Sequence, residues 1–165
     1  MIEIRLLKKN NLLITRSLAI KIWPSAYGTI LSKEQLDYML DWMYSKEKLE
    51  KDFDQGNEFY CAYANKKAVA YIELEFSEKE LHTVKLQKIY VLTNEQKKGI
   101  GLKLLEFAQQ RAKIRGAKKI SLQVNRANKA VDFYLKNNFS IVAKEDFPIG
   151  NGYFMNDFVM EKTLT

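Results

Sequence analysis

The stretch Gln87-Lys88-Ile89-Tyr90-Val91-Leu92-Thr93-Asn94-Glu95-Gln96-Lys97-Lys98-Gly99-Ile100-Gly101-Leu102-Lys103-Leu104-Leu105-Glu106 changes its period in the middle. Up to Leu92 it reads as a strand. From Gly99 to Arg115 it reads as a helix, with Leu102, Leu105, Ala108, Ala112 and Arg115 spaced at three and four. A short polar loop joins the two. The first N–H groups of a helix have no intrahelical acceptor and stand at the positive end of its dipole. Gly99 and Gly101 put no Cβ in the way of an approaching anion, and Lys97, Lys98 and Lys103 add positive charge around the same point. The Gly-x-x-x-x-Gly-Lys-Ser/Thr pattern of a P-loop is absent. A dinucleotide fingerprint fails at Leu104, where it needs a third glycine, and at Asn125, where it needs an acid. Two glycines in a first turn cost up to ~1 kcal/mol each against alanine. On its own the loop leaves an anion cradle and an ordinary helix start both open.

Upstream, Ile2 to Leu7 alternates as a strand, and Asn10 or Asn11 is placed to cap a helix running to Trp23, where Pro24 should stop it. Leu12, Leu13, Ser17, Ile20 and Trp23 are expected on its inner face. Ser32-Lys33-Glu34-Gln35 reads as a capping box opening a helix with Leu36, Met39, Leu40 and Met43. Ser45 caps a shorter helix that ends at Gly56-Asn57. Phe59 to Ala64 and Lys67 to Phe76 form a hairpin about Asn65-Lys66, and Leu81 to Leu92 is the next strand. Downstream, Gly116 stops the long helix; Lys118 to Val124 is a strand and Asn128 to Lys136 a helix. Phe139 to Ala143 and Phe154 to Leu164 are strands about Gly150-Asn151-Gly152. The order β-α-α-α-β-β-β-α-β-α-β-β predicts an α/β (α+β) domain over residues 1–165, with a mixed sheet and helices on both faces.

Composition narrows the function. The chain has 165 residues, 47% hydrophobic and 28% charged, which suits a globular domain. No apolar run nears the roughly 20 residues that span a bilayer, and no signal-peptide pattern opens the chain. The expectation is a cytoplasmic protein with no membrane partner. A single cysteine, Cys61, excludes an internal disulfide and a cysteine-based metal cluster, and no metal is expected. Cys61 reads as a buried strand residue. His82, the one histidine, lies early in a strand without a Gly-x-Ser-x-Gly elbow to serve. The net charge of +7 is scattered along the chain, which suits a small polyanion at least as well as nucleic acid, and nucleic acid is not expected.

A second segment, Asn128-Lys129-Ala130-Val131-Asp132-Phe133-Tyr134, follows a strand one helix and one strand after the loop. With it the chain resembles the GNAT superfamily of N-acetyltransferases. The first signature of that family, Gln/Arg-x-x-Gly-x-Gly/Ala after a central strand, is matched by Gln96 to Gly101. The second leads from Asn and Ala into Phe-Tyr and then to Gly-Phe, where this chain has Asn138-Phe139. Asn is the next most tolerant residue after Gly for a left-handed helix end. The resemblance spans about Ile2 to Leu164 and is specific from about Leu86 to Phe139.

The resemblance implies about seven mostly antiparallel strands, with the strand ending Ile89-Tyr90-Val91 splayed from Ile120 to Val124. Acetyl-CoA would lie in the gap. Ile89 and Val91 would pair with its pantetheine arm, and Gln96, Lys97, Lys98, Gly99, Ile100 and Gly101, with Lys103 nearby, would hold the pyrophosphate. Asn128 and Phe133 would complete the cofactor site, and Tyr134 would act as general acid beside the sulfur. The implied reaction is direct attack of a primary amine, from a polyamine-like small molecule or a peptide, on the thioester. A non-catalytic acyl-CoA-binding module is the alternative. Some members carry a glutamate base where this chain has Gln87, which cannot take a proton. Glu73 and Glu75, on a strand next to the cofactor strand, are the candidates, and Glu73 is also expected, with Tyr27 and Tyr38, at the acceptor site. The acceptor site would draw on Trp23, Tyr27, Tyr38, Trp42 and Tyr44, with Asp37 and Asp41 able to attract a cation. A homodimer is an open assembly state.

Overall fold

The structure, a computed structural model, describes residues 1–80 and 82–165. Leu81, the first residue of the expected fourth strand, lies outside the described residues. The elements are β1 (Ile2–Leu6), α1 (Leu13–Tyr27), α2 (Lys33–Tyr44), α3 (Lys46–Asp54), β2 (Glu58–Ala64), β3 (Lys67–Phe76), β4 (Thr83–Val91), α4 (Ile100–Ile114), β5 (Lys119–Asn125), α5 (Ala130–Lys136), β6 (Ser140–Gly150) and β7 (Tyr153–Thr163). Seven strands form one sheet in the order β1-β2-β3-β4-β5-β7-β6. Every neighbouring pair is antiparallel except β4 and β5.

The parallel β4–β5 pair is short. Its register covers Thr83↔Lys119, Val84↔Ile120 and Lys85↔Ser121 and then stops, although β4 continues to Val91 and β5 to Asn125. The two strands therefore part beyond Lys85 and Ser121, as the resemblance implied. A register shift between Glu73 and Leu74, opposite Lys88 and Leu86, leaves Gln87 as an extra residue in β4. Such a bulge bends the strand and resets which groups face which neighbour.

Strand alternation divides the core. On one face Val84, Leu86, Ile120, Leu122 and Val124 meet Ile100, Leu104, Leu105, Ala108 and Ala112 of α4. On the other, Phe59, Cys61 and Tyr71 meet Leu18, Ile22 and Trp23 of α1, Leu36 and Met39 of α2, Tyr44, and Leu49 of α3.

Several local expectations are corrected. Pro24 does not end α1, which runs one more turn to Tyr27. A proline forfeits the bond to the carbonyl four residues back. That carbonyl belongs to Ile20, which is exposed, so water can serve it, while Trp23 and Tyr27 pack ring to ring at 5.1 Å and hold the turn. No asparagine caps α1; the chain enters it through a 3₁₀ turn, Lys9–Asn11. The inner stripe is Thr15, Leu18, Ala19, Ile22, Trp23 and Tyr27, whereas Leu13, Ser17 and Ile20 face out. In α4, Leu102 is exposed, and Arg115 lies past the end of the helix, over Phe76. Ser32 caps α2 through Gln35 N (3.1 Å), but the Gln35 side chain bonds Phe154 O (2.7 Å) rather than closing the box. His82 is exposed in a turn before β4.

Candidate active site

Gly99 is the N-cap of α4 with φ +83°, and a Cβ there would meet nothing within 4 Å. Its glycine is required by backbone conformation, since an L side chain is strained at that φ. Gly101 differs. Its Cβ would touch Phe133 Cζ at 3.8 Å and Val91 Cγ2 at 4.0 Å, so the helix start, β4 and α5 converge on it. Among the described residues, no acceptor takes the backbone N–H of Lys98, Gly99, Ile100, Gly101 or Leu102. Those five donors stand at the mouth of the β4–β5 gap. Lys97, in the left-handed region at φ +64°, and Lys103 are exposed there, while Lys98 Nζ pairs with Glu95 Oε2 at 3.1 Å.

The edge of β4 faces the same gap. Leu92 donates its N–H to Val69 O (2.9 Å), towards β3, so alternation turns the main-chain groups of Val91 and Ile89 to the other side. Gln96 Nε2 reaches the Val91 carbonyl at 3.1 Å and ties the loop to that edge.

On the far side, α5 supplies Tyr134, 6% exposed, with its ring tilted against Phe133 (5.4 Å) and edge-on to Phe139 (5.6 Å). Asn138, at φ +69°, makes the left-handed end of this helix. Burial, and secondarily the neighbouring Tyr27, push the Tyr134 phenol well above its ordinary value, so it stays protonated. Asn128 Oδ1 accepts from Ala130 N (2.9 Å) at the start of α5.

The opposite face of the sheet carries tyrosines. Tyr27 and Tyr90 share a hydroxyl hydrogen bond of 2.7 Å, and Tyr44 and Tyr71 one of 2.6 Å, with Trp23 packed among them. Burial raises the Tyr27 phenol; its bond with Tyr90 lowers it, the Asp157 carboxylate raises it again, and the Asn128 amide opposes that. Tyr90, Asn128, Asp157 and Tyr134 thus all lie near Tyr27. At the root of the parting, an open hollow of about 640 Å³ is lined by Lys85, Lys119, Ser121, Gln123, Val159 and Glu161, among other residues.

The acceptor-side expectations fare unevenly. Glu73 is corrected: it is 1% exposed, meets Lys88 Nζ at 2.6 Å and accepts from Asn57 Nδ2 at 2.9 Å. That is a structural ion pair beneath the helices, closed to an acceptor. Glu75 accepts from Gln87 Nε2. Tyr38 spends its hydroxyl on Ile149 O (2.6 Å), clipping α2 to the β6–β7 turn, where a Cβ on Gly150 would strike that hydroxyl at 2.7 Å. Tyr44 and Trp23 are buried in the core, Trp42 is exposed, and Asp37 pairs with Lys33 at 2.8 Å on a solvated face. Asp157 and Tyr90 were not picked out by sequence. The signal for Asp157 was a carboxylate between Met155 and Val159 in one inward-facing row of β7.

A family model described as an acetyltransferase (GNAT) domain matches residues 30–155. The chain belongs to this family. Spermidine N(1)-acetyltransferase of Thermoplasma acidophilum is 29% identical over 167 residues, covering 98% of this chain and 96% of the relative. The crystal structure of PaiA N-acetyltransferase from Thermoplasma acidophilum, in complex with coenzyme A, superposes with a TM-score of 0.83 at 30% identity and 99% coverage of each chain. The ribosomal-protein-S18-alanine N-acetyltransferase of Escherichia coli matches at a TM-score of 0.75 and 16% identity, covering 100% of this chain and 95% of that one; it shares the fold. No helix among the described residues is long and apolar enough to cross a membrane.

Proposed function

We propose that this acetyltransferase moves an acetyl group from acetyl-CoA to a primary amine, of a polyamine-like small molecule or a peptide, by direct attack in a ternary complex. One acetyltransferase domain spans residues 1–165. The carrying observation is the parted β4–β5 pair, with unpaired helix-start donors at the head of α4 beside it; the buried Tyr134 of α5 would complete the site. The relative named for spermidine supports the amine class.

The residues present fit the donor. Five unpaired N–H groups at the start of α4 suit a pyrophosphate. The main-chain groups of Ile89 and the N–H of Val91 suit the amides of a pantetheine arm, and Phe133, against Gly101, walls the site. Gln96 would hold the loop against β4, Lys97, Lys98 and Lys103 would add charge around the phosphates, and Asn128 would hydrogen-bond the cofactor. Acetyl-CoA supplies the acetyl group as a thioester. A lysine-like amine has to lose a proton first, at about 4–5 kcal/mol at pH 7. Tyr134 would stabilise negative charge on the departing sulfur. Full proton transfer from a phenol to a thiolate is uphill by at least about 2 kcal/mol, so the benefit lies largely in the hydrogen bond. Tyr27 would stand on the acceptor side through its bond to Tyr90.

The test is thermal shift with acetyl-CoA, followed by thiol release on adding a panel of amines that includes spermidine. A ligand at 100 times its Kd stabilises by about 2.7 kcal/mol. Stabilisation with amine-dependent thiol release is expected. Stabilisation without release across the panel would make the protein an acyl-CoA-binding module instead.

A further inference from the structure

Asp157 is the one buried acid in this neighbourhood that the reading above leaves without work. It is 4% exposed in the middle of β7. Among the described residues no side chain forms a hydrogen bond or ion pair with its carboxylate. The nearest guanidinium is committed elsewhere: Arg126 bonds the main-chain carbonyls of Glu145 (3.1 Å) and Asp157 (3.2 Å) and the carboxylate of Asp146 (2.7 Å). Lys85 is turned to Gln123 Oε1 at 2.8 Å. Among the described residues the fully sealed side-chain atoms without a hydrogen bond are Trp23 Nε1 and Glu73 Oε2, the latter in the ion pair with Lys88; the Asp157 oxygens are not among them. A buried carboxylate without a partner costs stability, and such a cost persists where a ligand or a reaction uses the group.

Its position is also specific. Asp157 is registered with Asn125, four residues beyond Ser121, the last β5 residue paired with β4. Ile89 lies four residues beyond Lys85, the last paired residue of β4. Asp157 is therefore level with the free edge of β4. By alternation its side chain shares the face of Met155, which packs with the tyrosine cluster, away from Phe158 and Met160 on the α4 side.

We infer that Asp157 is the general base of the reaction, the carboxylate that meets the acceptor's ammonium group and takes its proton. This rests on the acetyl-transfer reading above. The ammonium gives one proton to Asp157. The freed nitrogen lone pair forms a C–N bond with the acetyl carbon, and the C–S bond breaks. The nitrogen sheds its second proton to solvent as the amide forms; the sulfur takes a proton with help from Tyr134, which recovers any it gives from solvent, and Asp157 releases its own to solvent. The groups near it are Tyr27 from α1, itself bonded to Tyr90, Lys85 from β4, Arg126 after β5, and Glu145, its register partner, from β6. Burial lifts its carboxyl to about 6 against the pull of Arg126 and Lys85, near neutral pH, where a base works best.

The test has two independent parts. In Asp157→Asn, kcat at pH 7 should fall about 100-fold or more, with acetyl-CoA affinity within about twofold of wild type, and should recover about tenfold per pH unit as alkali supplies free amine. In the wild-type protein without acetyl-CoA, the ¹³C carboxyl signal of Asp157 should titrate near neutrality and shift when spermidine is added. A variant with wild-type kcat, a rise in KM alone, or a carboxyl signal unmoved by the amine would overturn the inference. Should the variant not fold, the wild-type titration decides it. Absence of thiol release by the wild type with every amine would instead sink the acetyl-transfer reading, while the carboxyl titration would still report on Asp157.

Discussion

The two faces of the sheet are built by different means. The α4 face is aliphatic: Leu104, Leu105 and Ala108 pack on Val84, Leu86 and Leu122. What it offers a ligand comes from main chain at the start of α4 and the edge of β4. The α1–α3 face is aromatic and polar at once, with two tyrosine pairs, a buried Glu73–Lys88 pair whose ammonium lies 4.6 Å over the Tyr44 ring, and an unpartnered Asp157. A main-chain site follows from the order of elements and the placing of glycines. A side-chain site follows from contacts between residues far apart in sequence. The first suits a shared co-substrate, and the second can be rebuilt for each acceptor.

Perturbations should therefore behave differently on the two faces. The largest effect is expected from Glu73→Ala, which strands the buried Lys88 ammonium; urea unfolding should show a loss of about 3–5 kcal/mol. Replacing both by Leu and Met should restore most of it, and failure to do so would mean the pair does more than satisfy itself.

Asp157→Asn should act in the opposite direction. Its folded-state carboxyl, at about 6, lies above the ordinary 3.8, so the folded protein binds more protons between those values. Wild-type stability should then fall as pH rises from about 4 to about 6. The Asn variant should be equal in stability at pH 4 and more stable above pH 6, by at most about 3 kcal/mol. A variant less stable at pH 7 would show that the carboxylate has a structural partner.

Tyr134→Phe should lower kcat about 100-fold, close to 2.7 kcal/mol of barrier, with acetyl-CoA affinity within about twofold. Unchanged turnover would remove the phenol from the reaction. The smallest effect separates the two glycines. Gly99→Ala strains a residue at φ +83° by about 1–2 kcal/mol and should weaken acetyl-CoA binding up to about tenfold by titration calorimetry. Gly101→Ala meets only ordinary contacts, at 3.8 Å and beyond, and should leave stability nearly unchanged.

The same contrast governs what could be read beforehand. The element order, the parted strands and the turn at Gly99 were legible because each rests on local pattern or on a family signature with fixed spacing. Asn138, at φ +69°, was legible for the same reason. Pro24 was misread because its neighbours Trp23 and Tyr27 find a tertiary home that outweighs one lost hydrogen bond. Glu73 was taken for an acceptor residue because nothing local announces that Lys88 will stand across the ladder from it, as the register places it. Asp157 and Tyr90 escaped notice because their significance appears only when β7, β4 and α1 are brought together.

Amide hydrogen exchange at Lys98 to Leu102, measured by NMR with and without coenzyme A, addresses the main-chain cradle most directly. Protection of those amides together with Ile89 and Val91 is the predicted result. Unchanged exchange there, with protection appearing at another surface, would contradict it.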